Sequence, residues 1–165
     1  MLSTLDMSIL EILYADARTP LTDIATMTGH DLDEIQDSIK RLEREKIILK
    51  YPALINWDKT TTERVEAIIE VRVTPQRDQG FDAIAARIYR YEEVRSVYLM
   101  SGGYDLCVMA EARTMRQLAF FVAEKLSTLD SVISTATHFM LKKYKEDGVI
   151  FEGADAGDHR LAVSP

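Results

Sequence analysis

Apolar side chains mark out the elements of this chain. Leu5, Ile9, Ile12 and Leu13 recur at helical spacing, so "LDMSILEILYADA" predicts an amphipathic helix ending near Arg18, where Thr19-Pro20 breaks it. A shorter helix follows in "LTDIATMTG", with Leu21, Ile24 and Ala25 inward and Gly29 as its C-terminal stop. A third starts at Asp31, with Glu34 at capping-box spacing, and aligns Leu32, Ile35, Ile39 and Leu42 in one apolar stripe. Its opposite face carries Gln36, Asp37, Lys40, Arg41 and Arg44. Two helices joined by a short glycine-containing turn, the second amphipathic, predict a helix-turn-helix. "IILKYPALIN" beyond it predicts an extended wing or a crossover strand.

From Thr62 the period changes. "VEAIIEVRVTP" alternates as a strand closed by Pro75, and "GFDAIAARIYRYEEV" returns to helical spacing with Phe81, Ile84, Ala85 and Ile88 on one face. "RSVYLMSGGYDLCVMAEA" predicts two strands around Gly102-Gly103. "TMRQLAFFVAEKLSTLDSV" predicts a helix burying Leu118, Phe121, Val122 and Leu126, and "ISTATHFMLKKY" a last strand. With right-handed crossovers, this βαββαβ order predicts a ferredoxin-like sandwich, a four-stranded antiparallel sheet with two helices on one face. The predicted class is therefore α+β: a winged-helix-like helix-turn-helix domain over 1–60, the sandwich over 61–144, and a mostly flexible tail over 145–165, in which Val149, Ile150 and Phe151 are candidates to dock. The second sheet face is expected to be apolar and covered by another copy.

Composition narrows the function. The chain has 165 residues, 47% hydrophobic and 28% charged, which suits an ordinary globular protein. No apolar run reaches the ~20 residues of a membrane span, and "MLSTLDMSILEIL" lacks the marks of a secretory leader, so a cytoplasmic location is expected. The single cysteine, Cys107, is expected to be a buried, inert thiol, and three scattered histidines make neither a metal site nor a cofactor site. Met100, Met109 and Met140 read as core or interface fillers. A net charge of −7 argues against a generic polyanion binder, so any DNA contact requires a local basic patch or several linked heads.

"LDMSILEIL", "ARTPLTDIATMTG", "IKRLEREKIILKYPALIN" and above all "SGGYDL" resemble successive landmarks of the Lrp/AsnC (feast/famine) transcriptional regulators. The resemblance covers roughly residues 5–144. It implies a homodimer assembling into larger rings, with an octamer expected, DNA binding by the N-terminal domain, and an amino acid or related effector on the C-terminal domain. By that resemblance Gln36, Ser38, Lys40, Arg41 and Arg44 are the DNA-binding candidates. Gly102, Gly103, Tyr104 and Asp105 border the effector site, with Thr135 and Thr137 near it. Backbone N–H groups at Gly102-Gly103 suit an amino acid's carboxylate, and Asp105 or the threonine hydroxyls suit its ammonium.

The third helix departs from the family pattern. Asp31 caps it where Ser or Thr is usual, Asp33, Glu34 and Asp37 follow, and Ser38 stands where an arginine is common. The acids favour the positive end of the helix dipole, and Lys40, Arg41 and Arg44 serve equally well as a solvated face pairing with Asp37, Glu43 and Glu45. Three functions therefore compete. The first is an effector-responsive, DNA-binding transcriptional regulator. The second is a small-molecule sensor acting through protein partners, with a degenerate helix-turn-helix. The third is a sirohaem-decarboxylase-like enzyme recruiting His138 and Tyr104. The regulator is the leading reading, and an enzyme is not expected.

Overall fold

The computed structural model of the protein describes residues 2–74 and 80–151, and its chain divides into two compact units between Ile55 and Asn56. The first unit holds helices α1 (Thr4–Ala15), α2 (Leu21–Thr28) and α3 (Leu32–Arg44). Ser3 caps α1 in a reciprocal box with Asp6, and Asp31 caps α3 in the same way with Glu34. Gly29 ends α2 in the left-handed conformation, φ 71°, which a side-chain-bearing residue adopts only with strain.

Ile9, Ile24, Ile35 and Leu42 form the core of this unit, with Leu5, Ile12, Leu13, Ala25 and Ile39 packed against it. Two residues expected inward are not: Leu21 and Leu32 each start a helix and are exposed at the edge of that small core. Helix α1 also ends at Ala15 rather than near Arg18, because the Asp16 carboxylate accepts the Arg18 amide in a turn. The expected wing or strand is absent: residues 49–56 carry no regular secondary structure.

The second unit follows the predicted order, with β1 (Val65–Val73), α4 (Gly80–Ile88), β2 (Val94–Leu99), β3 (Leu106–Ala112), α5 (Met115–Phe120) and β4 (Val132–Phe139). The antiparallel sheet runs β2-β3-β1-β4. Ala67, Ile69, Val71 and Val73 alternate inward on β1 and meet Leu106, Val108 and Ala110 of β3, under Ile84 and Ile88 of α4. Leu118, Phe121, Val122 and Leu126 complete the core, all buried as their spacing predicts. Phe121–Leu126 is a wider π-helical continuation of α5, in which the Ser127 amide donates to the Val122 carbonyl five residues back.

The far face of the sheet is mixed rather than apolar. Ile68, Cys107 and Met109 lie along its middle, half-buried, among Glu66, Glu70, Arg72 and Glu111. Alternation places those charges there, since each is one residue out of step with the core positions. Ion pairs join them to their surroundings, Lys143 with Glu66 at 2.8 Å and Glu111 with both Arg64 and Arg95, and the His138 ring lies 3.4 Å from Glu70.

A small hairpin of β5 (Lys145–Glu146) and β6 (Val149–Ile150) follows. Val149 and Ile150 are exposed rather than docked, while Phe151 is half-buried and its carbonyl accepts from Asn56 Nδ2. Pro75 and the tail beyond Phe151, two further expectations from the sequence, lie outside the described residues. Among those residues no helix is long and apolar enough to cross a membrane.

Candidate functional site

Helix α3 sorts its charges by position. Asp33, Asp37, Lys40 and Arg44 follow one another at intervals of four, three and four residues, all exposed, so one solvent stripe runs from acidic at the N-terminal end to basic at the C-terminal end. That order complements the helix dipole at both ends. Lys40 comes no closer to Asp37 than 3.9 Å, with both side chains largely in water, a pairing of little energetic weight. Gln36 flanks the stripe, half-buried. His30 sits 3.0 Å from Glu34, and that contact first, then the Asp31 amide, holds the Glu34 carboxyl below its ordinary value.

Arg41 is directed elsewhere. Its Nη2 donates to Asp6 Oδ1 at 2.5 Å, reaching from α3 to α1, and Asp6 is only 1% exposed. The other Asp6 oxygen accepts the Ser3 amide at 2.7 Å. The Arg41 hydrogen bond is the largest influence on Asp6 and holds its carboxyl well below the usual range, with the Ser3 amide next. Ser38, one turn before Arg41, is half-buried. Of the five candidates for DNA contact, Lys40 and Arg44 therefore present exposed cationic heads, Gln36 and Ser38 are partly covered, and Arg41 is already engaged.

The effector candidates divide by face. Gly102, with φ 146°, turns the chain between β2 and β3, a conformation that favours glycine, and Gly103 follows it. Asp105 ties the turn to the end of β1: its Oδ2 accepts the Val73 amide at 2.8 Å, and its own amide donates to the Val71 carbonyl. Tyr104 lies towards the far face, beside the Cys107 thiol and near Glu70; burial, then those two neighbours, push its phenol up.

Thr135 and Thr137 stand opposite Val71 and Ile69, on the helix face, and Thr135 meets Ser127 Oγ at 3.2 Å. One chain thus brings Gly102, Gly103 and Asp105 together, but holds Tyr104 and the two threonines on opposite sides of its sheet.

The family model for the AsnC-type helix-turn-helix domain matches residues 2–43, and that for the Lrp/AsnC ligand binding domain matches residues 66–150. The chain belongs to the Lrp/AsnC family of transcriptional regulators. It is 54% identical over 158 residues to the HTH-type transcriptional regulator YugG of Bacillus subtilis, covering 95% of each chain. Its fold is similar to that of the Mycobacterium tuberculosis feast or famine regulatory protein solved with L-methionine, at a TM-score of 0.72 and 24% identity, covering 92% of this chain and 100% of that one. It is also similar to a Neisseria meningitidis transcriptional regulator solved with L-Met, at a TM-score of 0.70 and 23% identity, covering 88% and 94%.

As an Lrp/AsnC regulator the chain is a helix-turn-helix DNA-binding protein with a ligand-binding domain, as its sequence implies. Asp6 was not among the candidate residues, although it fixes the orientation of Arg41. The signal available for it was the Ser3-x-x-Asp6 capping spacing, which places an acid at the start of α1 but not its partner 35 residues away.

Proposed function

We propose that α3 binds DNA through Lys40 and Arg44 on phosphates and Gln36 at a base edge, with Ser38 a secondary contact, and that an amino acid acts at the Gly102–Asp105 turn. The carrying observation is an AsnC-type helix-turn-helix whose exposed stripe ends in two cations clear of strong internal partners. Gln36 has the paired donor and acceptor that match adenine in a major groove. The L-methionine complexes of the two structural neighbours support an amino acid as the effector class. A ligand touching both Tyr104 and Thr135 or Thr137 meets residues from opposite sheet faces, which favours a site completed by a second copy. On that ground the working form is a homodimer or a larger ring, with linked heads reinforcing one another on DNA.

The test is fluorescence anisotropy of a labelled fragment of the protein's own upstream DNA across a salt series, with and without L-methionine. Arg44→Ala is expected to lower affinity on all sequences and flatten the logarithmic salt slope by about one unit. Asp37→Asn is expected to strengthen binding, and Arg41→Ala to leave the slope unchanged. If Lys40→Ala and Arg44→Ala both leave affinity and slope intact, α3 does not touch DNA.

A further inference from the structure

The basic end of α3 continues past the helix. Between Lys40 and Lys50 stand five cations, Lys40, Arg41, Arg44, Lys46 and Lys50, against two carboxylates, on a chain whose net charge is −7. Lys46 and Lys50 are exposed, and neither joins an ion pair among the described residues. Both carboxylates have partners within the unit: Glu43 accepts the Tyr51 hydroxyl at 2.8 Å, and Glu45 lies 3.8 Å from Arg41.

Local structure fixes where these lysines stand. The Ile47 amide donates to the Leu42 carbonyl and the Lys46 amide to that of Glu43, the paired bonds of a Schellman ending. Lys46 holds its left-handed position, φ 56°, where glycine is the usual residue. A side chain there costs stability, so the helix ending by itself does not favour a lysine. Ile48 packs on the core of the unit, and the Tyr51 hydroxyl brings the chain back to α3 from eight residues on. Burial, then Glu43, push the Tyr51 phenol up to about 12, so it remains a donor at neutral pH. Lys46 thus stands on the capped end of α3, and Lys50 between two anchored residues.

A recognition helix that reads bases with its N-terminal turns can set its C-terminal end against the phosphate backbone, as in homeodomains. Lysine suits that surface, as a hydrated point charge that holds phosphate without reading sequence. We propose that the segment following α3 is a second DNA contact, in which Lys46 and Lys50 bind phosphates and the Tyr51–Glu43 hydrogen bond positions them. It rests on the docking of α3 proposed above, and it gives the unit the backbone grip of a wing without a strand.

The test is fluorescence anisotropy of the full chain on a labelled fragment of its own upstream DNA, across a salt series. Lys46→Gly and Lys50→Ala should each flatten the logarithmic salt slope by about one unit and lower affinity roughly severalfold near 0.1 M salt. Lys46→Gly should melt no lower than the wild type by circular dichroism, since glycine takes the left-handed conformation freely; lost binding there is not lost fold. Tyr51→Phe should lower affinity at every salt concentration with the slope unchanged, because both charges remain. Lys145→Ala, an exposed cation of the second unit, should bind as the wild type does.

Arg44→Ala separates the two levels. Unchanged slopes in both lysine variants, with a flattened slope in Arg44→Ala, would overturn the proposal and leave α3 as the whole interface. Unchanged slopes in all three would reject the docking of α3, and the proposal with it. An equal loss in Lys145→Ala would overturn it by making the effect one of net charge. Altered sedimentation of the DNA-free lysine variants would overturn it too, assigning the segment to a contact between copies. Wild-type binding by Tyr51→Phe would overturn the role given to Tyr51.

Discussion

Replacing Asp6 with asparagine keeps the shape of a buried side chain and removes its charge. The carboxylate accepts two hydrogen bonds, from the Ser3 amide and the Arg41 guanidinium, and the second joins α1 to α3. Asparagine retains one acceptor oxygen, so the change costs one charge-assisted bond, worth about 1.5–3 kcal/mol. Two effects work in the other direction. A neutral amide is less costly to bury than a carboxylate, and Arg41, one-third exposed, can turn to water. A net destabilisation of about 2 kcal/mol follows, which for a unit of this size corresponds to roughly 8–16 °C in Tm.

Circular dichroism at 222 nm follows α1, α2 and α3, which hold most of the helical residues. The single tryptophan, Trp57, lies in the second unit and follows that unit by fluorescence. Asp6→Asn should lower the first transition and leave the second in place. The pH dependence carries a sign of its own. The folded pKa of Asp6 is depressed, so its contribution is full above the unfolded value near 4 and is lost as pH falls towards the folded value. Wild-type helical stability should therefore decline below about pH 4 more steeply than that of the variant. A dichroism midpoint that moves by less than about 2 °C, against the shift worked from the same size scaling, would refute the assignment. So would an equal shift in both signals.

The turn supplies two further predictions. Asp105→Ala leaves the Val73 amide without its acceptor and should cost about 1–3 kcal/mol of second-unit stability, whereas Asp105→Asn keeps an acceptor and should stay close to wild type. Thermal unfolding followed by Trp57 fluorescence separates them, and in both variants the shift produced by L-methionine should shrink. Gly102→Ala has open space around the added carbon but inherits a φ of +146°, so it should cost about 1–3 kcal/mol by backbone strain alone, read in the same melts.

Local signals carried most of the architecture. Gly29 and the Asp31–Glu34 box were readable because their partners lie within four residues. The buried set of α5 was readable because Leu118, Phe121, Val122 and Leu126 share one face even across the π-helical turn. Periodicity names a face but not how much of it a small core covers, which is why Leu21 and Leu32 share the inward face of their helices yet are exposed. The charges on the far sheet face were legible in principle, since Glu66, Glu70 and Arg72 alternate with Ile69 and Val71.

The site was less legible, because its decisive contacts join distant residues. Nothing near Arg41 announces Asp6. The register sets Thr135 opposite Val71 on the helix face, whereas Tyr104 lies in the turn outside the paired residues, beside Cys107 and Glu70 of the far face.

These contacts change how the acids of α3 are understood. The first-turn acids and the terminal cations suit the dipole, so the charge at the two ends of the stripe has a sufficient cause in the helix itself. That cause does not extend to Asp37, which lies beyond the first turn. With Arg41 turned to Asp6, the exposed cations of this helix that can meet phosphate are concentrated near its C-terminal end, at Lys40 and Arg44. A helix with that polarity, on a chain of net charge −7, gains little from non-specific contact with a polyanion. On the proposed reading, weak single heads favour regulation through assembly. When binding depends on several heads engaging together, a ligand enclosed between copies can alter DNA occupancy through the geometry of the heads without touching α3. On the reading proposed above, the acidic helix and an effector site shared between copies describe one design, in which low intrinsic affinity makes the quaternary arrangement decisive.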